Sequence, residues 1–182
     1  MKHKLGLFIF LISLCQSCDL LDAVEFEEPN RYEGCCGIQA VEDTIGKALI
    51  SIPNAITPNA DGKNDAFSIY STDVLKITSL QVTEQNDLLG IDRSNIPVKR
   101  GWTQIWVPKN ASGLIVQGLY NYTMTIQELN GQQKTLSGQF CAFLCGEDKV
   151  ETIPMEDCLF RTQVDLNGHF NAEIPSQDTC SL

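Results

Sequence analysis

Histidine and positive charge are what this chain has least of. Its 182 residues hold 2 histidines, His3 and His169, and 13 lysines and arginines against 23 aspartates and glutamates, a formal net charge of −10. Nucleophilic catalysis by a Ser–His–Asp or Cys–His arrangement would have to run through His169. That residue sits beside Asn167-Gly168, a turn signal, and suits an exposed hairpin position. Nucleic-acid binding needs a basic face to meet phosphate, and so acidic a chain is expected to have no nucleic-acid partner. Also missing are a Gly-rich phosphate loop, a motif-placed pair of carboxylates for glycoside chemistry, a repeat of fixed period and any low-complexity run. Together these absences predict a protein that is not an enzyme. Apolar runs are short too: Leu5 to Leu14, broken by Gly6 and Ser13, falls well below the about 20 residues that span a bilayer, and no later segment is apolar enough to cross one.

That run has its own meaning at the N-terminus. Lys2 and Lys4 precede it, giving residues 1–17 the basic and apolar regions of a secretory signal peptide. Ser17-Cys18 follows and resembles a lipoprotein cleavage site, with Cys18 as the acylated first residue of the mature chain. A plain signal peptide cut near Ser17 is the alternative. Cleavage removes Lys2 and Lys4 and no acid, so the mature chain is more acidic still and charge alone is not expected to anchor it to an anionic membrane. Lipid must do so, since two or more acyl chains anchor stably where one does not. The first part of segment 18–46, Asp19 to Asn30, has many acids and no base before Arg31, as a solvated tether should. Acids just after the lipidated cysteine also resemble the surface-export signal of Bacteroidota lipoproteins; a merely soluble linker is the other reading. Arg31 to Gly46 reads as a loop pinned by cysteines.

Cysteine usage agrees with export. Of 8 cysteines, Cys15 leaves with the signal and Cys18 takes lipid. Cys35, Cys36, Cys141, Cys145, Cys158 and Cys180 remain, an even number that argues for disulfides in an oxidising compartment. Spacing does not choose among the possible pairings. Adjacent Cys35 and Cys36 should find separate partners, because neighbours fit disulfide geometry badly, and bridges from this N-terminal segment to the Cys141–Cys180 region are expected. A cysteine metal site competes with this reading, but the Cys-x2-Cys knuckles and partner histidines of zinc sites are missing.

From 47 to 145 the chain reads as strands bounded by turns. Ala48 to Ile52 is one, and Phe67 to Ile69 begins another. Ile77 to Gln85 looks half-buried. Trp102 to Val107 alternates, with Trp102, Gln104 and Trp106 on one face and Thr103, Ile105 and Val107 on the other. Leu119 to Leu129 is long, Asn130-Gly131 is expected to be a two-residue hairpin turn, and Lys134 to Leu144 returns. No stretch holds a capped helical period, so the fold class is all-β, a sandwich. In 146–182, Cys158 to Asp165 and His169 to Ile174 flank Asn167-Gly168. An isolated hairpin is marginal in water, so this extension should be tied to the sandwich by disulfides.

Two blocks carry a family resemblance over roughly residues 50 to 145. Pro53-Asn54-Ala55, Thr57-Pro58-Asn59, Asp61-Gly62 and Asn64-Asp65 form the first. Trp102, Gly113, Val116-Gln117-Gly118-Leu119-Tyr120 and Tyr122 form the second. The chain thereby resembles the gliding-motility-associated C-terminal domain, the type B sorting module of type IX secretion cargo in Bacteroidota. Between the blocks, Gln85-Asn86-Asp87-Leu88-Leu89-Gly90 stands where family members carry Asn-Arg-Trp-Gly. The resemblance implies an immunoglobulin-like antiparallel β-sandwich used as a recognition tag by secretion and surface-attachment machinery. The module here is followed by a tail and preceded by a lipoprotein signal, so the sorting role is expected to have changed while the fold was kept.

Three smaller signals complete the reading. Asn59, Asp61 and Asp65 partly match a calcium loop, short oxygen-bearing side chains followed by a Gly, although Thr57 and Ser68 occupy its first and last slots. The alternative is a tight turn that caps its own backbone. Trp102, Trp106, Tyr120 and Tyr122 could form a sugar-binding platform or, as is commoner, sandwich core. Asp43-Thr44-Ile45 resembles a short Bacteroidota O-glycosylation sequon. The expected protein is a non-catalytic, lipid-anchored, surface-facing outer-membrane lipoprotein that needs no cofactor beyond the candidate calcium. Its expected role is as interaction module or accessory subunit of an outer-membrane complex: type IX secretion, gliding or another β-barrel machine. A surface carbohydrate-binding lipoprotein and a type IX cargo protein are the alternatives.

Overall fold

The computed structural model describes residues 30–87, 89–144 and 157–176. Cys18, Cys145, Cys180 and the acidic tether lie outside the described residues. Ten strands occur among them: β1 (Val41–Ile45), β2 (Ala48–Ile52), β3 (Ala55–Ile56), β4 (Phe67–Ser71), β5 (Leu75–Glu84), β6 (Gly90–Arg93), β7 (Ile96–Val98), β8 (Gly101–Trp106), β9 (Gly118–Glu128) and β10 (Gln133–Ala142). They form two sheets, one ordered β1-β2-β4-β8 and one ordered β3-β10-β9-β5-β6, with β7 pairing the start of β5. Pairing is antiparallel except between β3 and β10, which run parallel. The protein is an all-β sandwich.

Period-two alternation builds the core. Ile50, Ile52, Phe67 and Ile69 face inward from the first sheet, and Ile77, Leu80, Tyr120, Met124 and Phe140 meet them from the second. Phe140 stacks between Phe67, 4.4 Å away between ring centroids, and Tyr120 at 5.0 Å. A second cluster lies on the outer side of β3, β10 and β9, where Ala55, Cys141, Phe143 and Leu119 pack with Tyr32, Cys35, Cys36, Cys158 and Phe160. Odd and even residues of these strand ends therefore serve different cores: Phe140 and Ala142 the first, Cys141 and Phe143 the second.

The structure departs from the sequence reading in five places. The sandwich begins before Lys47, because Val41–Ile45 pairs with β2 from Val41↔Ile52 to Ile45↔Ala48 rather than forming loop. Strands β6 and β7 had no legible alternation, being four and three residues long. In β8 the alternation breaks: Phe67 pairs Trp106 and Ser68 pairs Gln104, so Ile105 is an extra residue in a β-bulge, and both Ile105 and Trp106 are buried. The β9–β10 connection is longer than two residues, since Glu128 N–H donates to Gln132 O and only Gly131 takes positive φ, +92°. One left-handed Gly gives a three-residue loop with a bulge, where two are needed for the tighter turn.

The fifth departure is the C-terminal extension. Its expected hairpin reduces to one bridge, Val164↔Phe170, preceded by a 3₁₀ turn over Arg161–Gln163. Side chains supplement the two backbone bonds that flank the bridge, Asp165 N to His169 O and Asn171 N to Gln163 O, both at 2.8 Å. Asp165 Oδ1 accepts N–H groups of Asn167 and His169 at 2.8 and 2.9 Å, while Gln163 accepts from Phe160 N at 3.0 Å and donates to Ile174 O at 3.1 Å.

Candidate functional site

The Pro53–Asp65 motif begins where the chain crosses from the first sheet to the second. Asn54 is 1% exposed. Its Nδ2 donates to Ile38 O and Asp157 O, both at 2.9 Å, and its Oδ1 accepts from Leu159 N at 2.6 Å. Cys141 N donates to the Asn54 carbonyl at 2.8 Å. One buried side chain thus ties the N-terminal loop to the C-terminal extension. Asn64, fully buried, holds the extension again further on: its Oδ1 accepts from Thr162 N at 3.2 Å and its Nδ2 donates to Ser176 O at 3.2 Å. The two asparagines clasp the chain's own tail, a role that a turn-rich composition did not reveal. A polar residue inside a continuous apolar stretch, as Asn54 is between Ile52 and Ala55, was the available signal.

The cysteines cooperate with that clasp. Cys35 bonds Cys141 with Cα atoms 5.5 Å apart, and Cys36 bonds Cys158 at 4.9 Å. Cys36 adopts φ +58°, and the adjacent residues reach different elements, one the end of β10 and the other the tail.

Asn59, Asp61 and Asp65 come together, but their oxygens face donors. Asp65 Oδ1 and Oδ2 accept from Ala60 N and Gly62 N at 2.6 and 2.7 Å, Asp61 Oδ1 from Lys63 N at 2.8 Å and Asn59 Oδ1 from Asp61 N at 3.0 Å. Asn59 Nδ2 points at Asp61 Oδ2, 3.3 Å away. A cation here would meet N–H groups on the same oxygens it needs, so the residues do not fit calcium in this arrangement. They fit a self-capped turn, with Gly62 at φ +85°.

The four candidate platform aromatics do not share a surface. Tyr120, Tyr122 and Trp106 are buried in the sandwich, while Trp102 is half-buried on the outer face of the first sheet, edge-on to Tyr70 at 5.5 Å. Burial pushes the Tyr120 and Tyr122 hydroxyls well above their usual range, and the Glu84 charge adds to the rise at Tyr120. Gly138 is needed beside them, since a Cβ there would lie 2.5 Å from the Tyr122 oxygen.

His169 Nδ1 lies 3.3 Å from Glu42 Oε2, and Ser51 pairs with Glu42 across β1 and β2. The three residue types of an acyl-transfer triad are therefore neighbours. Ser51 is fully buried, however, and its hydroxyl donates to Gly168 O at 2.5 Å. The nucleophile–base hydrogen bond that activates a serine is not formed, and the Phe170 amide also occupies Glu42. Thr44, within the Asp43-Thr44-Ile45 pattern, is exposed on β1.

An open flank is the remaining feature. β6 pairs only with β5, and β8 only with β4, so each leaves one backbone edge free among the described strands. Arg93 of β6 donates to Ile105 O of β8 at 3.2 Å, which puts both edges on the same side. Beside β6 the second sheet's outer face holds a groove of about 430 Å³ lined by Gln81, Thr83, Gly90, Asp92, Asn121 and Thr123. The face beyond is hydroxyl and amide: Thr123 bonds Ser137, Thr125 bonds Thr135, and Gln139 bonds Asn121. No protein-family model matches the chain, and neither does any curated protein. The family resemblance rests on its motif residues alone.

Proposed function

We propose that the chain is a non-catalytic outer-membrane lipoprotein whose sandwich docks onto a membrane-embedded protein complex. The type IX secretion or gliding apparatus, or another β-barrel machine, is the class of partner that the motif resemblance suggests. The open flank carries the reading: free strand edges are templates for an added strand, and β6 offers one beside a groove for side chains. Acyl chains on Cys18 hold the module at the membrane, and the flank meets the partner.

Affinity capture of the tagged protein from native membranes tests this. A co-purifying integral membrane protein is expected, lost when Asp92→Pro removes a β6 N–H that faces away from β5. Recovery of free monomer alone from mild detergent would sink the proposal. A second reading, glycan binding at the cell surface, is favoured by the hydroxyl and amide face beside the groove. A glycan array negative for the native protein removes it.

A further inference from the structure

The end of the sandwich remote from the tether has a charge unlike the rest of the chain. Four turns meet there. Gly46 of the β1–β2 turn abuts Glu128, since a Cβ added to it would lie 2.3 Å from that carboxylate. Leu49 N donates to Thr72 Oγ1 at 2.9 Å, which brings in the β4–β5 turn. Arg100 of the β7–β8 turn bonds Asp73 at 3.2 Å. Leu129 to Gln132 close the pole beyond β9. At the other end of β9, Leu119 N donates to Arg31 O, where the tether joins. The 11 residues of β9 separate the two poles by about 35 Å.

Lys47, Lys76 and Lys99 are exposed at this pole, and their ammonium groups make no hydrogen bond or ion pair with the described residues. The acids nearby are largely neutralised: Asp73 by Arg100, and Asp43 by Lys134 at 2.6 Å. Among the described residues only Glu128 is left there without a basic partner; it accepts from Asn130 Nδ2 at 2.8 Å. Two apolar side chains project among the lysines, Leu129 at 86% exposure and Val74 at 44%. A chain of net charge −10 thus carries a cationic pole with apolar tips.

We propose that this pole is a docking surface for anionic lipid headgroups, with Lys47, Lys76 and Lys99 against phosphates and Leu129 and Val74 in the headgroup–acyl boundary. Bases near an anionic bilayer each add attraction that salt screens, and apolar side chains ringed by bases seat in the interface. An acidic protein would satisfy the lysines, but residues that anchor protein partners fill well-packed pockets, whereas Leu129 stands on a hairpin tip that a deformable surface can accept. The contact is independent of the open flank and of any protein docked there.

The chain from Asp19 onward keeps every described residue, hence both sheets and both disulfides. It is sedimented with phosphatidylcholine vesicles containing about 30% phosphatidylglycerol, in salt low enough for a Debye length above about 10 Å. Co-sedimentation is expected, and salt reverses it. The triple variant K47E/K76E/K99E should lose more than roughly tenfold in vesicle affinity, and Leu129→Ser severalfold. Melting should stay at the parent temperature, because these side chains are exposed. Absence of binding, equal binding to pure phosphatidylcholine, or an unaffected triple variant would overturn the proposal. So would selective release by inorganic phosphate at matched ionic strength, which assigns the lysines to a small anion. Retention on polyglutamate beads without retention on vesicles would likewise overturn it and assign the pole to an acidic protein.

Discussion

The two apolar clusters of this molecule are held together differently. The cluster between the sheets gathers residues from long strands that alternate, so each strand presents an apolar face and backbone pairing fixes its register. The outer cluster has no such help. Tyr32, Cys35, Cys36, Cys158 and Phe160 come from segments outside any strand, and they cover only the ends of β3, β9 and β10. Two disulfides and two buried asparagines join those segments. Where local structure does not set the spacing of apolar side chains, covalent and polar ties set it instead.

The contrast predicts a gradient of mutational effects. Phe140→Ala should be the most damaging, at about 3–5 kcal/mol, since it removes the ring stacked between Phe67 and Tyr120. Chemical denaturation should show the sandwich transition moved to lower denaturant. The paired change Cys35→Ser with Cys141→Ser should cost about 2–4 kcal/mol yet leave the sandwich folded. Cys36→Ser with Cys158→Ser should free the tail selectively, seen as hydrogen exchange rising at 157–176 while β5 and β9 stay protected. If exchange rose equally in the strands, the two clusters would be one cooperative unit and the comparison would fail.

Smaller changes sharpen it further. Gly168 has φ +96°, and a Cβ there would sit 2.3 Å from Tyr70 Cε1. Gly168→Ala should cost about 1–3 kcal/mol and alter Trp102 fluorescence, because Tyr70 packs on Trp102. The smallest effect belongs to Asp43, whose hydrogen bond from Lys134 holds its carboxyl below the ordinary 3.8. A depressed folded value means that this stabilisation is complete above pH 3.8 and is lost as pH falls through the lower value. The pair is partly exposed and worth no more than about 1 kcal/mol. Asp43→Asn should therefore reduce the melting temperature slightly at neutral pH and converge with the parent in acid.

Much of the sandwich was legible because burial on one face leaves a period of two, as in Leu80 to Glu84 and Tyr120 to Ile126. Legibility failed where that period is interrupted. Ile105 is an inserted residue, so β8 reads as regular while burying two neighbours. Val41-Glu42-Asp43-Thr44-Ile45 does alternate, but acids and the preceding cysteines made it look like loop. At the candidate sites, oxygen-rich spacing at Asn59, Asp61 and Asp65 could not say whether those oxygens face a cation or their own backbone. Nor could it reveal that Asn54 and Asn64 face the tail, because both partners lie about a hundred residues away in the chain.

The adjacent cysteines have a mechanical consequence. Tension entering at the tether and leaving through the tail passes from Cys36 directly to Cys158, across a covalent link that skips 122 residues of sequence. Tension that instead leaves through a partner on the sandwich is handed by Cys35 into β10 at Cys141, beside the central ladder with β9. A pull on the anchored end is thus divided between two routes by a single peptide bond.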